Sequence, residues 1–131
     1  MVHRESEVHP VQLAEYFCVA TYLPVRSFAS VVPFLRLSSS IERQLHESEG
    51  SVRYAVRTDI PRKHFWTLSV WTSREAMRAF VGKEPHLTAI RKFGSWAGEG
   101  AAFAEYSSKT GAIDWEEATR QMLKPTRYFK A

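Results

Sequence analysis

Cysteine is nearly missing from this sequence of 131 residues, with Cys18 standing alone. One thiol excludes an intrachain disulfide and any site built from several cysteines, and it suits a reduced intracellular setting. No apolar run approaches the roughly 18 residues that a membrane-spanning helix needs. The opening residues, Met1-Val2-His3-Arg4-Glu5-Ser6-Glu7, are polar and lack the apolar stretch of a secretory signal. A soluble, cytoplasmic protein without membrane contact is therefore expected. The sequence holds no zinc-ligand spacing, phosphate-binding glycine loop or hydrolase triad, so no metal site is expected. Net charge is +4, but the basic residues are scattered apart from one cluster at residues 53–64, and a modest excess of this kind does not single out nucleic acid as a partner.

Aromatic residues are plentiful, with four Trp, five Tyr and eight Phe making up 13% of the chain. Large rings supply core, interface or pocket walls. Residues 1–12 are polar and unpatterned and read as a flexible leader. From residue 13 to 131 the chain reads as one domain with a helical tail. Tyr16 to Leu23 is an apolar run ended by Pro24, a buried strand. Phe34, Leu37, Ile41 and Leu45 recur at helical spacing. Pro33 is tolerated in a first turn, which places the helix start near Ser30 as N-cap. Ser51 to Arg57 alternates, with Val52, Tyr54 and Val56 on one side and Arg53 and Arg57 on the other. Lys63 to Trp71 completes a hairpin with it.

Thr72-Ser73-Arg74-Glu75 has the form of a capping box and opens a helix carrying Ala76, Met77, Phe80 and Val81. Gly82 breaks that helix and Glu84-Pro85 restarts it. A loop over residues 94–100 and a last strand from Ala101 to Ser108 follow. Asp114 with Glu117 then opens a short final helix. The order is that of a ferredoxin-like βαββαβ domain, α+β in class, with an antiparallel sheet, two helices on one face and an extra C-terminal helix. A sheet face left bare would expose a large apolar patch, and a homodimer closing two sheets into a dimeric α/β barrel removes it.

The string Phe65-Trp66-Thr67-Leu68-Ser69-Val70-Trp71-Thr72-Ser73-Arg74-Glu75-Ala76-Met77-Arg78-Ala79-Phe80, followed by Pro85-His86, resembles the antibiotic-biosynthesis-monooxygenase-like dimeric α+β barrels, including their spheroidene-monooxygenase-like branch. The resemblance spans roughly residues 17–108. It implies an oxidoreductase of monooxygenase type acting on a flat hydrophobic or aromatic substrate. The family includes cofactor-free oxygenases, haem-degrading enzymes, haem-dependent hydroxylases and proteins without known activity, so the resemblance allows haem or no cofactor at all. Cofactor-free oxygenases and haem degraders of this group rely on a triad that includes asparagine, and this sequence contains none. Neither triad carries over intact. A non-catalytic module that binds a small hydrophobic ligand or haem, or serves assembly, stands as the alternative.

His86 matches the second histidine of the family's helix pattern, with Phe80 near the place of the first. An imidazole there suits acid–base work near neutral pH or an axial bond to haem iron; the plain alternative is a histidine buried at a helix start. Phe65, Thr67, Ser69 and Trp71 share one face of a strand and offer rings with interleaved hydroxyls, the mixture a small-molecule pocket uses, or else the core of a dimer. Tyr22, Tyr54, Phe80 and Phe103 are candidates for the same wall, and Trp66, Leu68 and Val70 for helix-packing core. Arg53 and Arg57 could hold an anionic group or form a solvated edge that resists aggregation.

Overall fold

The structure, a computed structural model, describes residues 1–128; the last three residues of the expected 13–131 domain lie outside the described residues. Six strands form one antiparallel sheet: β1 (Val2–Glu7), β2 (Tyr16–Pro24), β3 (Ser51–Asp59), β4 (His64–Trp71), β5 (Ala102–Ser108) and β6 (Arg127–Tyr128), in the order β1-β3-β4-β2-β5-β6. The inner four strands with α1 (Phe28–Glu47), α2 (Arg74–Val81) and α3 (His86–Trp96) make the expected ferredoxin-like α+β arrangement, and α4 (Trp115–Met122) follows.

The leader is part of the fold. Val2–Glu7 pairs with β3 over its whole length, from Val2 opposite Thr58 to Glu7 opposite Arg53. It escapes a hydrophobic-pattern reading because an edge strand of polar and charged residues has no apolar face to show. Helix α1 also starts earlier than Ser30: Ser27 is the N-cap, and its hydroxyl lies 3.0 Å from that of Ser30. Ser73 caps α2 as expected, accepting from the Ala76 amide at 3.1 Å. Helix α3 runs through Gly94 to Trp96, where a loop was expected. Trp96 then reaches the core, 6.5 Å from Phe34 edge to face.

Helices cover both sheet faces. Helices α1, α2 and α3 pack on the face that carries Phe65 and Trp71, while α4 crosses the other, setting Ala118, Trp115 and Met122 against Tyr16, Cys18, Ala20, Leu68 and Val70. Residues 115, 118 and 122 share one side of a helix, and α4 spends that side on the sheet. The face of Phe65, Thr67, Ser69 and Trp71, expected to stay open for a pocket or a dimer, is the one the three main helices cover. The face of Leu68 and Val70, expected to pack those helices, is partly covered by α4 instead. A bulge between Ser51 and Arg53 moves Val52 to the α4 side, away from Tyr54 and Val56; an extra residue of this kind breaks the two-residue period. No described helix is long and apolar enough to cross a membrane.

Candidate functional site

On the side of α1, α2 and α3 the sheet is tightly packed at both ends. At one end Phe65 meets Phe34 at 4.6 Å between ring centroids, with Phe93 beyond it at 5.9 Å from Phe34. At the other, Trp71 is fully buried against Phe80 at 5.1 Å, with Leu45, Met77 and Tyr54 around them. Between these clusters Val19, Thr21, Thr67 and Ser69 are half-buried. Thr21 and Thr67 face each other across β2 and β4, and their hydroxyls hydrogen-bond. Ser69 Oγ accepts from Trp71 Nε1 at 2.9 Å, which fixes the indole and satisfies its buried donor. The result is a strip of hydroxyl-bearing sheet between two aromatic walls. On the neighbouring strand β5, Glu105 forms an ion pair with Arg74 of α2 at 3.2 Å.

His86 opens α3 directly behind the Trp71 wall. Its ring lies 4.9 Å from Phe80, and its amide donates to Gln44 Oε1 at 3.0 Å. Gln44 in turn donates through Nε2 to the Phe80 carbonyl at 2.8 Å. One buried amide thus ties α1 to the junction of α2 and α3. Burial pushes the His86 imidazole below the usual histidine value, with the Val81 backbone acting weakly the other way, so the ring is neutral at physiological pH. Its Nδ1 is buried and has no hydrogen-bond partner among the described residues.

Phe80 stands between this ring and Trp71. An axial ligand must present a nitrogen to an open, porphyrin-sized space. In His86 the Nδ1 is enclosed and a phenyl ring lies against its face, so an axial bond through Nδ1 is closed off at this position. Two shallow hollows, of about 280 and 360 Å³, lie elsewhere, around Arg53 and Thr110.

The residues singled out from the sequence separate into groups. Trp71, Phe80, Tyr54 and His86 come together, with Ser69 and Thr67 beside them. Phe65 belongs to the other cluster, with Val31 and Phe34. Trp66, Leu68 and Val70 face away, toward α4, as do Arg53 and Arg57 (on β3). Arg53 is already engaged, donating to Glu7 at 2.9 Å and to the Gly111 carbonyl.

A polar chain escaped the sequence reading. Tyr54 Oη donates to Glu42 Oε1 at 3.0 Å and lies 3.2 Å from His46 Nε2. Glu42 also takes two bonds from Arg4, at 2.6 and 2.8 Å. Burial pushes the Tyr54 phenol above the usual tyrosine value, and a hydrogen bond with Ser6 opposes this. The hydroxyl of Tyr54 is thereby committed to protein, leaving its ring as wall. Half of the chain was invisible because Arg4 lies in the segment read as leader. The spacing of Glu42 and His46, one turn of helix apart, was the signal available.

No family model matches the sequence, and no curated protein does. Solved structures do. A protein from Fusobacterium nucleatum carrying the name monooxygenase superposes with a TM-score of 0.67 at 16% identity, over 84% of this chain and 52% of that one. A second, from Nitrosomonas europaea and named for antibiotic biosynthesis monooxygenase, gives 0.62 at 16% identity, over 75% and 93%. The fold is that of the antibiotic-biosynthesis-monooxygenase-like proteins. SnoaB, a cofactor-independent oxygenase from Streptomyces nogalater, shares this monooxygenase-like fold at a TM-score of 0.57 and 13% identity, over 73% of this chain and 94% of its own.

Proposed function

We propose that this monooxygenase-like chain takes a flat hydrophobic or aromatic small molecule onto the strip between Phe65 and Trp71, and acts on it as an oxygenase. The observation that carries the reading is the half-buried hydroxyl pair Thr21–Thr67 with Ser69 beside it, set between aromatic walls. Apolar walls orient a planar ligand, and a few fixed hydroxyls select its polar edge. The resemblance to monooxygenase-like structures supports the class of chemistry.

A second reading, binding without turnover, is favoured by one specific observation. Phe80 lies against the neutral His86 ring, and the charged groups beside the strip, Glu105 and Arg74, are already paired with each other, which leaves hydroxyls as the unpaired polar groups near a ligand.

Oxygen uptake and product chromatography with a panel of polycyclic quinols test both. The first reading expects turnover that falls at least about tenfold in Thr67→Val, equivalent to about 1.4 kcal/mol. Saturable binding that weakens in Thr67→Val, with no oxygen consumed, leaves the binding module. Absence of both binding and turnover overturns the site itself.

A further inference from the structure

Opposite the strip, one cross-strand row runs over four strands: His3 faces Arg57, Arg57 faces Trp66, and Trp66 faces Tyr22. The side chains of Arg57, Trp66 and Tyr22 in this row pack on one another, and His3 stands edge-on to Trp115 at 6.4 Å. The Arg57 guanidinium lies 4.8 Å from the Trp66 ring and 5.0 Å from the ring of Trp115, the first residue of α4. Trp66 stacks on Tyr22 at 5.6 Å and 30°, and His64 stands edge-on to both, at 5.4 Å from Tyr22 and 5.9 Å from Trp66.

Arg57 is half-buried, and its Nε is fully enclosed without a hydrogen-bond partner. Among the described residues its side chain makes no hydrogen bond and no ion pair, unlike Arg53 four positions earlier. The acidic residues nearby are otherwise placed: Glu7 pairs with Arg53, Asp59 pairs with Arg62, and Glu5 sits opposite Ala55 without an ion pair to Arg57.

A half-buried guanidinium with an enclosed, unmet Nε is poorly hydrated on one side, and an anionic acceptor at its open Nη side offsets part of that cost. Both indoles lie close to its Cζ, at 4.8 and 5.0 Å, and with Nε enclosed the approach left to an anion is the Nη1–Nη2 edge. Edge-on, guanidinium presents the paired donors that match a planar carboxylate. Beside it, the half-buried rings of Trp66, Tyr22 and His64 offer apolar surface. We infer that Arg57, held between Trp66 and Trp115, is the anchor of a second binding site, for a carboxylate carried on a flat apolar body. This site lies on the opposite sheet face from the strip and does not depend on it.

Isothermal titration of the full chain with 1-naphthoate and with the neutral 1-naphthamide tests this. The carboxylate is expected to bind at least about tenfold more tightly than the amide, with a dissociation constant in the millimolar range or below. Arg57→Gln is expected to lose about tenfold in naphthoate affinity and to bind the amide unchanged. Arg57→Lys is expected to recover only part of the loss, because an ammonium keeps the charge without the planar fork.

Equal affinity for acid and amide overturns the inference, as does the absence of saturable heat up to several millimolar. So does Arg57→Gln that melts earlier yet binds as before, the signature of a guanidinium that merely fastens α4 to the sheet. Binding abolished by Thr67→Val and kept in Arg57→Gln assigns the ligand to the strip instead, and also overturns it. Should Arg57→Gln fail to fold, the acid–amide comparison on the unaltered chain decides.

Discussion

Tyr54 Oη donates to Glu42 Oε1 at 3.0 Å, across the gap between β3 and α1. Arg4 grips the same carboxylate from β1, so this one group links a helix, an inner strand and the edge strand. The contributions of its two partners differ. Arg4 is more than half exposed, and such pairs contribute below about 1 kcal/mol. Tyr54 is 4% exposed, and its bond to a charged acceptor is worth about 1.5–3 kcal/mol. Urea denaturation is expected to rank Glu42→Ala as most destabilising, Tyr54→Phe next and Arg4→Ala least. An Arg4→Ala loss equal to that of Glu42→Ala contradicts this ranking.

The His86 imidazole is held below its ordinary value by burial. A group whose folded pKa is depressed favours the protonated form more in the unfolded chain. For a histidine this stability is present above the unfolded value near 6.5 and is lost as pH falls below it toward the folded value. His86→Leu is expected to show a shallower fall in denaturation midpoint between about pH 6.5 and pH 5 than the unaltered chain. Parallel curves for the two proteins would refute a buried neutral ring.

Gln44 bonds the Phe80 carbonyl through its Nε2 and the His86 amide through its Oε1. Gln44→Ala is expected to cost about 1–3 kcal/mol, since the His86 amide loses its acceptor while the Phe80 carbonyl keeps the Lys83 amide at 3.2 Å. Gln44→Glu keeps an acceptor for the amide but sets a carboxylate against the Phe80 carbonyl, so it is expected to be no better. Thermal unfolding with retained β-sheet circular dichroism checks both.

Gly50 has φ of +84°, and a Cβ placed there would lie 2.5 Å from the Ala76 Cβ and 2.7 Å from the Thr72 hydroxyl. Gly50→Ala combines left-handed strain of about 1–2 kcal/mol with displacement of α2, whose start the Thr72 amide helps fix by donating to the Gly50 carbonyl at 2.9 Å. A drop in melting temperature larger than that of Gly82→Ala is expected, because Gly82 has room for a methyl group at 3.4 Å from the nearest atom.

Much of the fold was legible where residue type and local period agree. The capping Ser73, the apolar run of β2 and the Asp114–Glu117 start of α4 each announce their element without reference to anything distant. What stayed hidden depends on partners remote in sequence. Strand β1 exists because β3 supplies hydrogen bonds to a polar segment, and Val52 changes sides through a bulge that no residue type marks. For the site, the sequence grouped Phe65 with Trp71 correctly on one face, yet the helices divide them between separate clusters. The isolation of Arg57 from Arg53 was equally unreadable, since it turns on where Glu7 and Trp115 arrive.

Strand β2 occupies an inner place in the sheet, yet its two neighbours are made later: β4, from His64 opposite Pro24, and β5 with Ser108 opposite Tyr16. On a ribosome the β3–β4 hairpin is complete while β5 is still unmade. The emerging chain therefore carries the apolar segment Phe17-Cys18-Val19-Ala20 with one flank unpaired until residue 108 has left the exit tunnel. Sheets built from such distant pairings form slowly and are open to misassociation meanwhile. Recovery of this protein from cells should accordingly depend more on the rate of synthesis and on chaperone supply than on the stability of the finished domain.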